Sequence, residues 1–237
     1  GEVIQESFVA TNMEFPQLEP VCNDPPILLA KDFLTPEDCQ GLVDAIEASG
    51  LLKPSEVKGS YGEGADVAGA DGSQLRTSSS LFLEDDRIQA IPEVKAIYDR
   101  FIAQLRELFP MTDRQWASIR CNTQVARYYP GEYFRPHWDA FPEDYLGKVG
   151  AQRMVTVLLY LNEVGVGGGT YFPQLDIRCL PEIGKALIFY PSDKSLESDL
   201  RTQHEAEDAV DEKWVTQIWL EFPTTSAAMA AVKLNTR

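Results

Sequence analysis

The order of helical and strand-like segments restricts the fold of this chain more than any other feature. Helical segments come first, and from about residue 115 the pattern changes to short β-type runs separated by Gly, Pro, Asn and Asp. The runs lie at about residues 122–129, 132–139, 153–161, 169–172, 177–180, 185–190 and 213–221. Helices followed by about seven or eight strands predict an α+β protein whose strands form an antiparallel sheet pair or a barrel.

The helices are marked by their ends and by their apolar spacing. Thr35-Pro36-Glu37-Asp38 combine an N-cap residue, a proline at the first helical position and acidic residues in the first turn. They predict a helix to about Ala48 that ends at Gly50. Apolar residues at helical spacing predict a second helix over Pro92–Phe109. Short strands are predicted at Pro26–Ala30 and at residues 79–83.

The chain is predicted to be one domain with peripheral segments. Its 237 residues, 44% of them hydrophobic, are enough for one sizeable core. Residues 1–25 are expected to be an irregular arm draped over a body spanning 26–222, and residues 223–237 a C-terminal tail. Residues 54–75 are rich in Gly, Ser and Asp, which predicts a long loop. Such a loop is either a functional lid or a plain surface insertion.

The charge balance excludes several partners. The chain has 21 basic and 37 acidic residues and a net charge of −16, which repels phosphate backbones and anionic lipid headgroups. We therefore expect no nucleic acid and no membrane as a partner. The best apolar run, Met154–Leu161, is far shorter than the ~20 residues of a spanning helix. The four cysteines show no CxxC spacing, so a cysteine-based zinc site is not expected and their pairing stays open.

The two histidines of the chain stand in contexts that suggest a metal site. His137 and Asp139 are two residues apart on a predicted strand, so their side chains project from the same face. His204 lies just before the last strand and could complete the set from a neighbouring strand. Two His and one carboxylate form the facial triad of non-haem Fe(II) oxygenases. The alternative is that this His-x-Asp tripeptide is a coincidence and both histidines are ordinary.

The last strand suggests an anion site. Lys213, Val215, Gln217 and Trp219 share one of its faces. A lysine on an inward face is costly unless it meets an anion, which a dicarboxylate cosubstrate would supply. Tyr160 could offer its hydroxyl to the same carboxylate. In the alternative reading, Lys213 reaches solvent and Tyr160 is a core aromatic residue.

Several blocks of sequence carry a family resemblance. They are Gln124–Asp139, Arg153–Asn162, Gly167–Pro173, Asp199–His204 and Lys213–Trp219, with weaker similarity at Leu29–Cys39 and Arg76-Thr77-Ser78-Ser79. Together, over about residues 26–222 and in the family's order, they resemble the prolyl 4-hydroxylases, a family of 2-oxoglutarate- and Fe(II)-dependent dioxygenases.

The resemblance implies a double-stranded β-helix, or jelly roll, supported by N-terminal helices. It assigns His137, Asp139 and His204 to Fe(II), and Lys213 to the distal carboxylate of 2-oxoglutarate with Tyr160 beside it. It places Tyr128 near both cosubstrate and peptide. The peptide groove is assigned Arg153, Trp219 and Arg76, and residues 54–80 correspond to a flap that closes over the substrate.

Three features depart from the family pattern. Lys213 follows His204 by nine residues instead of the usual ten, Phe134 stands where a tyrosine is common, and residues 141–150 match nothing. These departures leave the substrate open.

The function implied by the resemblance is hydroxylation of peptidyl proline at C4. Fe(II) would be the metal, O2 and 2-oxoglutarate the cosubstrates, succinate and CO2 the coproducts, and ascorbate the reductant. Alternatives are the same chemistry on a free amino acid or another protein side chain, a catalytically silent jelly-roll binding module, and a zinc hydrolase. The expected location is cytoplasmic for a microbial or viral protein and the secretory pathway for a eukaryotic one, and the oligomeric state stays open.

Overall fold

Two antiparallel sheets and a layer of helices make up the part of the chain that the computed structural model describes, residues 8–56 and 74–224. Residues 1–7 of the predicted arm, 57–73 of the predicted flap and 225–237 of the predicted tail lie outside the described residues. In chain order the elements are β1 (Leu18–Asn23), β2 (Pro26–Ala30), α1 (Pro36–Ser49), β3 (Lys53–Pro54), β4 (Ser79–Phe82), α2 (Asp86–Gln89), α3 (Pro92–Leu108), α4 (Asp113–Trp116), β5 (Arg120–Tyr128), β6 (Phe134–His137), α5 (Glu143–Val149), β7 (Ala151–Tyr160), β8 (Thr170–Phe172), β9 (Ile177–Cys179), β10 (Ala186–Phe189), β11 (His204–Ala206) and β12 (Lys213–Pro223).

The strand order defines the two sheets. The larger sheet has the order β1-β2-β10-β7-β12-β5-β4-β3, and the smaller one β6-β11-β8-β9. One apolar cluster contains side chains from both sheets, among them Tyr128, Tyr160 and Val215 from the larger and Phe172 and Ala206 from the smaller. The sheets therefore pack face to face through this cluster, and the antiparallel α+β prediction is confirmed.

The helices cover the opposite face of the larger sheet. α1 begins after Thr35, whose hydroxyl accepts a hydrogen bond from the Asp38 backbone N–H, and it ends at Gly50, whose φ of 62° suits glycine. α1 packs against α3. Side chains of both helices share the main core with alternate side chains of β5, β7 and β12. Both predicted helices are confirmed, and α3 ends one residue earlier than the pattern indicated.

Strand alternation decides which face each side chain of β12 reaches. Trp214, Ile218 and Leu220 belong to the helix-covered core, whereas Val215 belongs to the cluster between the sheets. By the same period of two, Lys213 points toward the smaller sheet. The shared face predicted for this strand is therefore present.

The structure corrects the prediction of an irregular N-terminal arm. Residues 18–23 form β1, which pairs antiparallel with β2, and Phe8, Val9 and Phe15 are buried in the main core. This strand was not predicted because its residues are largely polar. An edge strand that is exposed on one side lacks the alternation of apolar residues from which a strand is predicted. Sequence patterns also missed β11, which has three residues, and α5, which lies in the unmatched 141–150 stretch.

Two further properties concern membrane-spanning helices and the cysteines. Within residues 8–56 and 74–224, no helix has the length and apolar character that crossing a bilayer would require. All four cysteines are free thiols, and Cys39 and Cys179 are buried.

Candidate active site

Strand pairing brings the two histidines and Asp139 together. His204 at the start of β11 lies directly opposite His137 at the end of β6, and Asp139 follows just beyond β6. The Nε2 atoms of His137 and His204 each lie 3.8 Å from an Asp139 carboxylate oxygen, Oδ1 and Oδ2 respectively. The three potential ligand atoms are within 4.8 Å of one another, and all three residues are buried. This is the compact donor set that a single metal ion requires.

Hydrogen bonds orient each of the three side chains. Nδ1 of His137 lies 2.9 Å from the Arg135 carbonyl, and Nδ1 of His204 lies 3.0 Å from the Thr202 carbonyl. Because a carbonyl can only accept, each Nδ1 carries a proton and each Nε2 keeps its lone pair for the centre. The Thr156 hydroxyl donates to Asp139 Oδ2 at 2.7 Å.

The electrostatics favour the ligand forms of His137 and Asp139. Burial lowers the pKa of His137 well below its usual value, and the neighbouring His204 lowers it further. Burial alone would raise the pKa of Asp139, but His204, His137 and Arg153 bring it below its usual value. Neutral imidazole and ionised carboxylate are the forms that bind metal, so the residues fit the Fe(II) that the sequence predicts.

A buried lysine lies at the start of β12, next to aromatic side chains of the cluster between the two sheets. Lys213 is only 1% exposed and lies opposite Tyr128 in the β5–β12 pairing. Its Nζ is 5.3 Å from the ring centroid of Tyr128 and 5.8 Å from that of Tyr160. Burial lowers the pKa of Lys213 to about 7, although Glu207 raises it in part. Among the described residues no carboxylate forms an ion pair with Lys213, so this end of the site can accept an anion.

The hydroxyl of Tyr160, whose ring lies near this lysine, is held by hydrogen bonds. It hydrogen-bonds Thr170 Oγ1 at 2.9 Å and lies 3.2 Å from the Cys179 carbonyl. Sequence reasoning missed Thr170, although it falls in the Gly167–Pro173 block, because a lone threonine in a three-residue strand carries no chemical signature.

An open groove of about 630 Å³ leads outward from the triad. His137 and Asp139 line its inner end. Lys53, Arg87 and Tyr145, from other segments of the chain, also line the groove. The predicted groove residues Arg76, Arg153 and Trp219 all line it. Tyr128, predicted to touch both cosubstrate and peptide, lies on the Lys213 side and is not among the groove-lining residues.

Arg153 connects the groove to the triad. Its guanidinium carbon lies 4.0 Å from the Trp219 ring centroid and 4.6 Å from that of Phe141. Its Nη1 donates to the backbone carbonyl of Asp139 at 3.3 Å, and its Nε donates to Glu221 at 3.4 Å. Phe141 and Glu221 were not predicted as groove residues, since neither stands in a pattern that distinguishes it from core or surface positions.

Arg76 is held by a buried polar network. Its Nε donates to Ser78 Oγ at 2.8 Å and its Nη1 to Gln124 Oε1 at 3.0 Å, and Gln217 donates to the same Gln124 oxygen at 3.1 Å. Within the described part of the chain, Arg76 Nη2 and Trp219 Nε1 are buried donors without a partner. Because both residues line the groove, these donors suit a ligand that offers hydrogen-bond acceptors.

Comparisons with known proteins agree with this geometry. Residues 123–221 match the model of the 2OG-Fe(II) oxygenase superfamily. The chain is 31% identical over 227 residues to prolyl 4-hydroxylase 1 of Arabidopsis thaliana, covering 88% of this chain and 73% of that protein. It is 26% identical to a putative prolyl 4-hydroxylase of Acanthamoeba polyphaga mimivirus, covering 91% and 79%.

Solved structures share the fold. The viral collagen prolyl hydroxylase of Paramecium Bursaria Chlorella virus-1, solved with 2OG, has a TM-score of 0.55 at 22% identity over 85% of this chain and 98% of that one. A prolyl hydroxylase of Trichoplax adhaerens, solved with a hypoxia inducible factor peptide fragment, has a TM-score of 0.55 at 18% identity over 91% and 89%. The predicted jelly roll with supporting helices is thereby confirmed.

Proposed function

The chain belongs to the prolyl 4-hydroxylase family of 2OG-Fe(II) oxygenases, and from this membership we propose that it hydroxylates peptidyl proline at C4. It is a 2-oxoglutarate-dependent dioxygenase that uses Fe(II) and O2. The observation that carries the proposal is the buried His137–Asp139–His204 triad, two of whose residues line an open groove, together with a buried Lys213 that has no ion-pair partner among the described residues.

In this proposal His137, Asp139 and His204 hold Fe(II). The bound Fe(II) and 2-oxoglutarate supply the oxidising chemistry, in which 2-oxoglutarate becomes succinate and CO2. The protein's part is to fix the tautomer and the orientation of both imidazoles through the Arg135 and Thr202 carbonyls, so that each Nε2 faces the metal. Burial of the three ligands limits the access of water to the reacting atoms. Ascorbate is the proposed reductant.

Lys213 binds the distal carboxylate of 2-oxoglutarate. Its burial without a carboxylate partner among the described residues supports this role, because an ammonium group at 1% exposure gains most from an anion. Tyr160 and Thr170 can add hydroxyl groups to the same carboxylate, and Tyr128 forms one wall of this end of the site.

Arg76, Arg153 and Trp219 bind the substrate in the groove. Proline residues have no backbone N–H, so a proline-rich chain offers mainly carbonyl acceptors in an extended polyproline II conformation. The donors Arg76 Nη2 and Trp219 Nε1, which have no hydrogen-bond partner among the described residues, match that chemistry. The open groove supports a peptide rather than a free amino acid, which would need an enclosed pocket. A net charge of −16 supports a protein partner over a nucleic acid.

The test is turnover of a proline-rich peptide. The full chain is incubated in air with Fe(II), 2-oxoglutarate and ascorbate, with poly-proline or with a matched poly-alanine peptide, and succinate and peptide mass are measured. We expect succinate formation stimulated by poly-proline, a product heavier by one oxygen atom, and loss of both in His137→Ala.

Other outcomes separate the alternatives. Succinate that depends on His137 but not on the peptide would retain the dioxygenase and reject peptidyl proline. No succinate under any condition would contradict the proposal and favour a silent binding module.

A further inference from the structure

The two carboxylate oxygens of Asp139 lie in different surroundings. Oδ2 accepts a hydrogen bond of 2.7 Å from the Thr156 hydroxyl. Oδ1 lies 3.8 Å from His137 Nε2 and Oδ2 lies 3.8 Å from His204 Nε2, so each oxygen faces one of the two histidines. No described residue donates a hydrogen bond to Oδ1, so among these residues the Thr156 hydroxyl alone holds the carboxylate by its side-chain oxygens.

Thr156 occupies a strand position where a hydroxyl is otherwise unfavourable. It is fully buried on β7, in register with Phe189 of β10 and Trp219 of β12, and its strand neighbours are Val155 and Val157. A valine would have the same shape and would not bury a polar group. The Asp139 carboxylate is the acceptor that makes a threonine favourable here.

We infer that Thr156 is a positioning residue that holds the Asp139 carboxylate through Oδ2 and so fixes the orientation in which its two oxygens face His137 and His204. This rests on the metal site of the proposed function. Without the hydroxyl the carboxylate would be free to rotate out of this orientation, and the triad would bind a divalent metal ion less tightly.

Arg153 supports the same arrangement from the same strand. Its Nη1 donates to the backbone carbonyl of Asp139 at 3.3 Å, so β7 holds this residue by its main chain as well as by its side chain. Removal of a hydrogen bond that orients a metal ligand typically lowers metal affinity about 10–100-fold.

The test compares Thr156→Val, which keeps the shape and removes the hydroxyl, with Thr156→Ser, which keeps the hydroxyl. Co(II) serves as a spectroscopic probe, with its dissociation constant measured by calorimetry and its visible absorption recorded on the full chain. We expect Thr156→Val to weaken Co(II) binding about 10–100-fold and to change the absorption spectrum, while Thr156→Ser stays within about threefold of wild type with an unchanged spectrum.

Thr216→Val is the matched control. Thr216 is also buried, and its hydroxyl donates to the Gln124 backbone carbonyl at 3.3 Å instead of to a metal ligand. We expect this variant to bind Co(II) as wild type does. Thermal unfolding of each metal-free variant checks that all of them fold.

The outcomes distinguish the inference from the proposed function. If wild type binds Co(II) but folded Thr156→Val has the same affinity and spectrum, the role of Thr156 is overturned and the metal site stands. If Thr156→Ser fails as Thr156→Val does, the hydroxyl is not the cause and the inference is again overturned. If wild type itself binds no Co(II), the metal site fails and the inference fails with it.

Discussion

Lys213 lies opposite Tyr128 in the β5–β12 pairing, with its ammonium nitrogen 5.3 Å from the tyrosine ring centroid and with 1% of the residue exposed. The aromatic walls of Tyr128 and Tyr160 shield this charge from water without neutralising it. A buried cation at such a position strongly favours an anionic ligand. The register of β5 against β12 therefore helps to determine which cosubstrate binds.

The first prediction concerns the charge of Lys213. Lys213→Ala should raise the KM for 2-oxoglutarate at least tenfold, because loss of a buried charged partner costs about 2–5 kcal/mol. Lys213→Arg should restore part of the affinity. The measurement is succinate formation at varied 2-oxoglutarate. Lys185→Ala is the control, since that buried lysine already pairs with Glu182 at 3.1 Å. An unchanged KM in Lys213→Ala would contradict the assignment.

The second prediction concerns pH. Burial lowers the pKa of Lys213 to about 7 in the ligand-free protein, so its charged form prevails below that pH and is lost above it. Binding of a dianion requires the charged form, so 2-oxoglutarate affinity should fall as pH rises above about 7, approaching about tenfold per unit. Calorimetric titration of the metal-loaded protein between pH 6 and 9 measures this. Lys213→Arg should remove the dependence, and a flat wild-type profile would refute it.

The third prediction concerns Gly168. Its φ is +64°, and a Cβ placed there would lie 3.0 Å from the Lys213 side chain. Gly168→Ala should therefore cost about 1–2 kcal/mol of unfolding free energy and should also weaken 2-oxoglutarate binding. Gly147→Ala is the control because its added Cβ would meet nothing within 4 Å. Chemical denaturation and 2-oxoglutarate titration provide the measurements. Wild-type cosubstrate affinity in Gly168→Ala would argue against close packing on Lys213.

The fourth prediction concerns Gln124. Its side-chain oxygen accepts from both Arg76 and Gln217. Gln124→Met removes this acceptor at similar size, so Arg76 should lose its orientation and the KM for a proline-rich peptide should rise about five- to tenfold, as expected for about 1–1.5 kcal/mol. The KM for 2-oxoglutarate should stay the same. Gln124→Glu, which keeps the acceptor, should preserve peptide binding. Equal changes in both KM values would indicate general damage instead.

Much of the architecture could be predicted because it depends on local patterns. The caps of α1 and the apolar spacing of α3 are properties of neighbouring residues, and both helices formed where expected. The edge strand β1 could not be predicted, because it is held mainly by its pairing with the backbone of β2 and its own residues are largely exposed. β11 was hidden for a similar reason, since three residues are too few to show alternation.

The candidate site also has features that could be predicted from the sequence and features that could not. The inward face of Lys213 follows from the period of a strand, which the sequence alone determines. The His137–Asp139 pair could also be predicted from the sequence, although Asp139 lies just beyond the end of β6. The tertiary structure decided that β11 pairs with β6 so that His204 meets His137, and that Thr156 reaches Asp139. The physical reason is that periodicity states which side of a strand a residue faces, whereas the partner it meets depends on which distant strands pair and pack together.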